Sequence, residues 1–237
     1  MNKKHLFIII LGAGLTACSS FSPNTWKSHA LAINESRGLV NALDDEIRPY
    51  RDSLSESMNE IIGYSSAYLI IGRPCSKLSN WVADALLKDQ DSLAQILKPN
   101  MVLLNVGGIR SSINEGKVTV GDIFRLMPFD NEVVWVKLPI SLLPEIAYYL
   151  KKSGGEPISN AVLNQQGLML VDAEINSNYF WVLTSDYLMN GGDNMNFFKQ
   201  KTEVIYTNKL MRDSFLDQVK KEGTLQVDEK CRTYDEK

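Results

Sequence analysis

Leu43, Ile47, Tyr50, Leu54, Met58 and Ile61 recur at steps of four and three residues. That spacing puts them on one face and predicts a long amphipathic helix. Pro49 falls inside the pattern, where it should kink the helix or mark its start. From Tyr64 to Ile71 the residues are β-branched and aromatic, which predicts a strand. Leu78 to Leu87 and Ser92 to Leu97 predict short helices. Met101 to Val106 reads as a buried strand running into Gly107-Gly108. Val120 to Met127 predicts a helix ending at Pro128, and Glu132 to Leu138 a second clear strand. Leu142 to Lys152 is helical in pattern and stops at Gly154-Gly155. Gly167 to Ile175, Tyr179 to Thr184 and Glu203 to Thr207 predict strands, and Lys209 to Lys221 a closing helix.

Helical and extended segments are interleaved irregularly, and several strands lie close enough in sequence to form hairpins. The expected class is α+β: one domain, residues 28–221, with a mixed or largely antiparallel sheet and flanking helices. Residues 222–237 are polar and acidic and are expected to form a mobile tail.

The N-terminus has a different pattern. Lys3-Lys4-His5 precedes an apolar run from Leu6, and the run ends in small residues. It is too short for a permanent span and reads as a signal peptide, residues 1–17. Leu15-Thr16-Ala17-Cys18 resembles the bacterial lipoprotein signal, in which the cysteine is lipidated. The resemblance implies a mature chain starting at a lipidated Cys18, a short tether at 18–27, and a location outside the cytoplasm. The outer membrane, on its periplasmic side, is the expected site of anchoring. In such an oxidising compartment Cys75 and Cys231 are free to bridge, and the sequence leaves that pairing open.

Composition then narrows the chemistry. At 44% hydrophobic and 22% charged the chain is ordinarily globular, and three cysteines are too few for a disulfide-built mini-protein. Lys and Arg (25) do not exceed Asp and Glu (28), which speaks against a nucleic-acid partner. The two histidines, His5 and His29, both lie near the N-terminus. A histidine-rich metal centre or a Ser-His-Asp arrangement therefore has no material in the body of the chain. Neither a Gly-x-x-x-x-Gly-Lys-Ser/Thr loop nor a Gly-x-Gly-x-x-Gly fingerprint is present.

Four segments look unlike scaffold. Asn105-Val-Gly107-Gly108-Ile-Arg110 comes directly after a buried strand; its glycines let backbone approach a ligand, and Arg110 carries the planar fork that suits phosphate. Met127-Pro-Phe129-Asp-Asn131 displays an aromatic ring beside a stiff proline. Thr184-Ser-Asp-Tyr187-Leu-Met-Asn-Gly191-Gly192-Asp193 sets a second aromatic beside a carboxylate that can accept from two vicinal hydroxyls. Arg73, just ahead of the helix at Leu78, is a candidate second phosphate contact. Taken singly, each segment is also what an ordinary turn, hairpin or surface arginine looks like. Together they offer two rings to sandwich a flat base, an amide for its edge, a carboxylate for a sugar and an arginine for phosphate.

These motifs also occur in a family. Asn105-x-Gly-Gly-Ile-Arg110, Gly116-x-Val-Thr-x-Gly-Asp-Ile123, Pro128-Phe129-x-Asn131 and Thr184-Ser-Asp-Tyr187-x-x-Asn-Gly-Gly-Asp193 resemble, in this order, the C-terminal substrate-binding domain of the 5′-nucleotidase/UDP-sugar hydrolase family. The resemblance implies that Phe129 and Tyr187 sandwich a nucleobase, Asn105 contacts the base, Asp193 the ribose and Arg110 the phosphate. Gly107, Gly108, Gly191 and Gly192 would shape the site. Around Arg73 the match is poorer: Cys75 and Ser79 stand where an acidic residue and a glycine are usual. The family's N-terminal metallophosphatase domain, with its two metals, has no counterpart in this sequence. The resemblance therefore implies no cofactor in this chain and divalent metals in a separately encoded partner. Capture or sensing of nucleotides by a stand-alone lipoprotein, and a scaffold that binds nothing, are the other readings.

Overall fold

The computed structural model describes residues 41–171 and 177–233. The signal peptide, Cys18 and the tether expected from the sequence lie outside these residues. The chain divides into two compact units, Met1–Ile47 and Arg48–Lys237. Of the first, the described part is the opening of helix α1 (Asn41–Met58), which contains Pro49 without ending there. The sheets and both hydrophobic cores belong to the second.

In chain order the main elements after α1 are β1 (Ile61–Ser65), α2 (Lys77–Asp89), α3 (Asp91–Ile96), β2 (Asn100–Leu103), β3 (Gly116–Thr119), α4 (Val120–Leu126), β4 (Glu132–Pro139) and α5 (Leu143–Ser153). They continue through β5 (Ile158–Ser159), β6 (Ala161–Asn164), β7 (Gly167–Leu170), β8 (Tyr179–Ser185), α6 (Asp186–Met189), β9 (Glu203–Leu210) and α7 (Met211–Glu222). Five strands form the main sheet in the order β5-β2-β8-β4-β9. The β2–β8 pair is parallel; β2–β5, β4–β8 and β4–β9 are antiparallel. This is the mixed α+β sheet with flanking helices that the pattern predicts.

The central strands are apolar at nearly every position because both their faces are covered. Val102, Val133, Trp135, Trp181 and Leu183 join one core with Leu78 and Trp81 of α2, Ile123 of α4 and Phe215 of α7. Met101, Leu103, Val134, Val136, Phe180 and Val182 alternate with them and face Ile146 and Leu150 of α5, Leu163 and Leu168 of the β6–β7 hairpin, and Phe197 and Phe198. Alternation along each strand thus feeds two cores from one sheet. Local chemistry starts the helices on this frame. Ser76 accepts the amide of Ser79 ahead of α2. Thr119 and Asp122 form a reciprocal capping box ahead of α4.

The C-terminal segment departs from its expectation. The polar run expected to be a mobile tail is bound to the domain as far as it is described. Asn80 donates through its side-chain amide to the carbonyls of Asp228 (2.7 Å) and Lys230 (2.9 Å). Arg232 forks onto both carboxylate oxygens of Asp84 (2.7 and 2.6 Å) and reaches Asp228 (2.9 Å). Thr233 is buried and bridges to Leu163. Cys231 forms a disulfide with Cys75, with Cα atoms 5.5 Å apart, which settles the pairing that the sequence left open. Polar side chains spent on specific partners look, in sequence, the same as polar side chains left in water. Among the described residues no helix is long and apolar enough to cross a membrane.

The disulfide closes a loop of 156 residues in the unfolded chain. Chain-entropy arguments give such a cross-link roughly 4–5 kcal/mol of stabilisation. Denaturant unfolding of the double variant Cys75→Ser, Cys231→Ser should show a loss of that order. A loss under about 1 kcal/mol would mean that the Arg232 and Asn80 contacts hold the segment unaided.

Candidate functional site

Strands β2 and β8 run parallel, so their C-terminal ends emerge at the same end of the sheet. Strand β4 runs the other way between β8 and β9, and begins there. Three segments distant in sequence therefore converge: the turn after β2, the loop before β4, and the α6 turn after β8. Asn105, Gly107, Gly108, Arg110, Phe129, Asn131, Tyr187 and Asp193 line one cavity of about 380 Å³ at this end. That volume lies within the range of small-ligand sites.

Asp193 is the hub. It sits in the left-handed region with φ of 51°. One carboxylate oxygen accepts from the Asn105 side-chain amide at 2.6 Å and the other from the Tyr187 hydroxyl at 2.8 Å. Its carbonyl accepts from the Tyr149 hydroxyl at 3.0 Å. The hydrogen bond to Asp193 holds the Tyr187 phenol above its usual range. Tyr149 is pushed up to about 12, first by burial and then by the negative charges of Glu156 and Asp193. Both phenols therefore stay protonated across the physiological range and keep donating.

Two glycines are set by close approach. A Cβ at Gly108 would lie 2.7 Å from the Asn105 amide oxygen, so the turn after β2 can fold tightly onto Asn105 only without one. A Cβ at Gly192 would run into the Tyr187 ring, so Gly192 forms the wall against which that ring rests. Gly191 enters the same turn with φ of 92°. Arg110 is exposed, lines the cavity and donates to the Gly107 carbonyl at 3.2 Å.

Arg73 is placed elsewhere. It does not line the cavity; it donates to the Gly155 carbonyl (2.8 Å) and pairs with Glu156 at 2.6 Å. The Glu156 side chain is only 2% exposed, and its second oxygen accepts the Val106 amide at 2.7 Å. Arg73 thus braces the Gly107-Gly108 turn from behind. Glu156 carries no local signal in the sequence, because its partner is 83 residues away.

Sequence reasoning also gave no role to Asn131, although it closes the Pro128-Phe129-x-Asn131 motif; its side chain lines the cavity. The loop that carries Phe129 and Asn131 is held by α7. Arg212 stacks over the Phe124 ring at 4.4 Å and pairs with Asp130 at 2.6 Å, and the Met211 amide donates to the Asn131 carbonyl at 2.9 Å. Among the described residues no group of three or more His, Cys, Asp or Glu is arranged to hold a metal. The described residues do not fit the two metals of the family's other domain.

Residues 63–139 match the family model for the 5′-nucleotidase, C-terminal domain. Over that stretch the chain is similar to this domain. It is similar to a trifunctional nucleotide phosphoesterase protein of Bacillus subtilis, at 22% identity over 75% of this chain and 14% of that protein. Its fold is shared with a 5′-nucleotidase precursor from Thermus thermophilus (22% identity, TM-score 0.61, 81% of this chain and 43% of that one). It is shared as well with the NAD nucleotidase of Haemophilus influenzae (18% identity, TM-score 0.61, 81% and 41%). The chain thus spans less than half the length of each of these relatives. The matched stretch contains Asn105, Arg110, Phe129 and Asn131, while Tyr187 and Asp193 lie beyond it.

Removing Arg73 leaves Glu156 buried with its charge half-satisfied. Arg73 is 40% exposed, so the cost is below that of a fully buried pair, about 2 kcal/mol. Urea unfolding of Arg73→Ala should show that loss, with faster hydrogen exchange at the Val106 amide. A change within about 0.5 kcal/mol would return Arg73 to the ordinary surface class.

Proposed function

We propose that this chain is the nucleotide- or nucleoside-binding half of a 5′-nucleotidase-type phosphohydrolase, working with a separately encoded metallophosphatase-domain protein. The observation that carries this is the exposure of two rings in one cavity. Phe129 is 42% and Tyr187 46% exposed, whereas Phe180, Phe197, Phe198 and Phe215 are at 2% or less. Phe129 is the one phenylalanine among the described residues left so open, and Tyr187 lines the same cavity.

Stacking a base on such rings contributes about 1–3 kcal/mol per base. In this reading Asp193 takes the ribose hydroxyls, and Arg110 pairs with a phosphate. The Asn105 amide nitrogen is already committed to Asp193, so Asn105 orients that carboxylate as well as facing the ligand. Asn131, two residues from Phe129, reads the base edge. This chain binds and orients the substrate, which is worth rate in itself. The metal-assisted attack on phosphorus belongs to the partner. The lipoprotein-type N-terminus supports placing this half outside the cytoplasm, anchored to a bacterial membrane.

Calorimetric titration with adenosine and AMP should show binding to the intact chain. Phe129→Ala and Tyr187→Ala should each weaken it by about tenfold or more. Mixed with a metallophosphatase-domain protein encoded beside it, the chain should hydrolyse AMP in the presence of divalent metal at a rate neither protein reaches alone. Hydrolysis by this chain alone would overturn the division of labour. Absence of binding by the wild type would overturn the reading of the cavity.

A further inference from the structure

Asp186 belongs to the Thr184-Ser-Asp-Tyr187 motif but does not line the cavity. It is the first residue of α6, at the point where β8 stops being a strand. The β4–β8 ladder ends at the pair Val133–Ser185. Beyond that pair β8 turns into helix, while Glu132 still pairs with Leu210 of β9 on its other side. On the β8 side one oxygen of the Asp186 carboxylate continues the contact: it accepts the Glu132 amide at 3.1 Å and the Tyr187 amide at 2.8 Å.

Those two amides lead to the two rings. Glu132 lies three residues after Phe129 along the chain, and Tyr187 is the residue after Asp186. We propose that Asp186 is a positioning residue that sets the separation of the two aromatic walls. It does so by fixing, on a single oxygen atom, the backbone that feeds each of them. The Phe129 loop is held on its far side by Arg212, through Asp130 and the Phe124 ring. With that side fixed, the Asp186 bridge extends the link between the loop and the α6 turn past the last ladder pair, Val133–Ser185. The gap matters because stacking on both faces of a base needs ring spacing held within a few tenths of an ångström. The effect of Asp186 on a ligand is transmitted through Phe129 and Tyr187.

This inference rests on reading the cavity as a nucleoside clamp, and its test separates the two. Hydrogen exchange at the Glu132 and Tyr187 amides, together with adenosine titration, is compared in wild type, Asp186→Ala, Asp186→Asn and Asp186→Ser. Alanine removes the acceptor. Asparagine keeps an acceptor oxygen in place. Serine suits the first turn of a helix but is too short to reach Glu132, and it serves if the alanine variant does not fold. Asp186→Ala and Asp186→Ser should lose protection at Glu132, with Val134 and Val182 unaffected, and should bind adenosine about tenfold more weakly. Asp186→Asn should recover affinity to within about threefold of wild type. Unchanged protection and affinity in the alanine and serine variants would overturn the proposal, as would an asparagine variant as weak as alanine. If the wild type binds no adenosine, the clamp reading fails; the amide protection then still shows whether Asp186 bridges the two segments.

Discussion

A sheet buried on both faces has only its strand ends free to meet a ligand. That constraint governs this domain. Val133 and Trp135 are committed to one core and Val134 and Val136 to the other, so no side chain in the middle of the central strands is available for binding. Because β2 and β8 are parallel and β4 is antiparallel to β8, two C-terminal ends and one N-terminal end open at the same place. Near these ends carboxylates accept backbone amides: Asp186 that of Glu132, Glu156 that of Val106.

Those contacts join the site to the rest of the molecule. Glu156 is buried, braced by Arg73, and holds the turn of Gly107 and Gly108. Arg73 lies two residues from Cys75, whose disulfide to Cys231 fixes the C-terminal segment. Arg232 and Asn80 tie that same segment to α2. The covalent and ionic links that stabilise the fold thus run to within one residue of Asn105. A stiff mounting of this kind suits the clamp proposed above, where position lost in the mounting would be affinity lost.

Much of this was legible in the sequence, and the parts that were not share a cause. Strands such as Glu132–Pro139 and Tyr179–Ser185 were readable because their apolar runs are long and β-rich. The two-residue strand Ile158–Ser159 is too short to carry a period, and β3 is four residues of mostly half-exposed edge. The residues lining the cavity could be picked out because each sits in a local motif of glycine, aromatic and polar residues. Asn131 stood in such a motif without being given a role. The features that stayed hidden were long-range: Arg73 with Glu156, Arg212 with Asp130, and Arg232 with Asp84 are joined only by folding. Arg73 looked like a ligand contact, and the C-terminal segment like loose tail, for the same reason. A charged side chain in a sequence does not show whether its partner is water, a ligand or a residue eighty positions away.

The central claim is that Phe129 and Tyr187 hold the two faces of one base. Nuclear Overhauser measurements on labelled protein saturated with adenosine test it most directly. The account predicts contacts from the purine protons to the ring protons of both residues, and from the ribose to the Asp193 loop. Contacts to only one ring, or to residues outside the cavity, would contradict it.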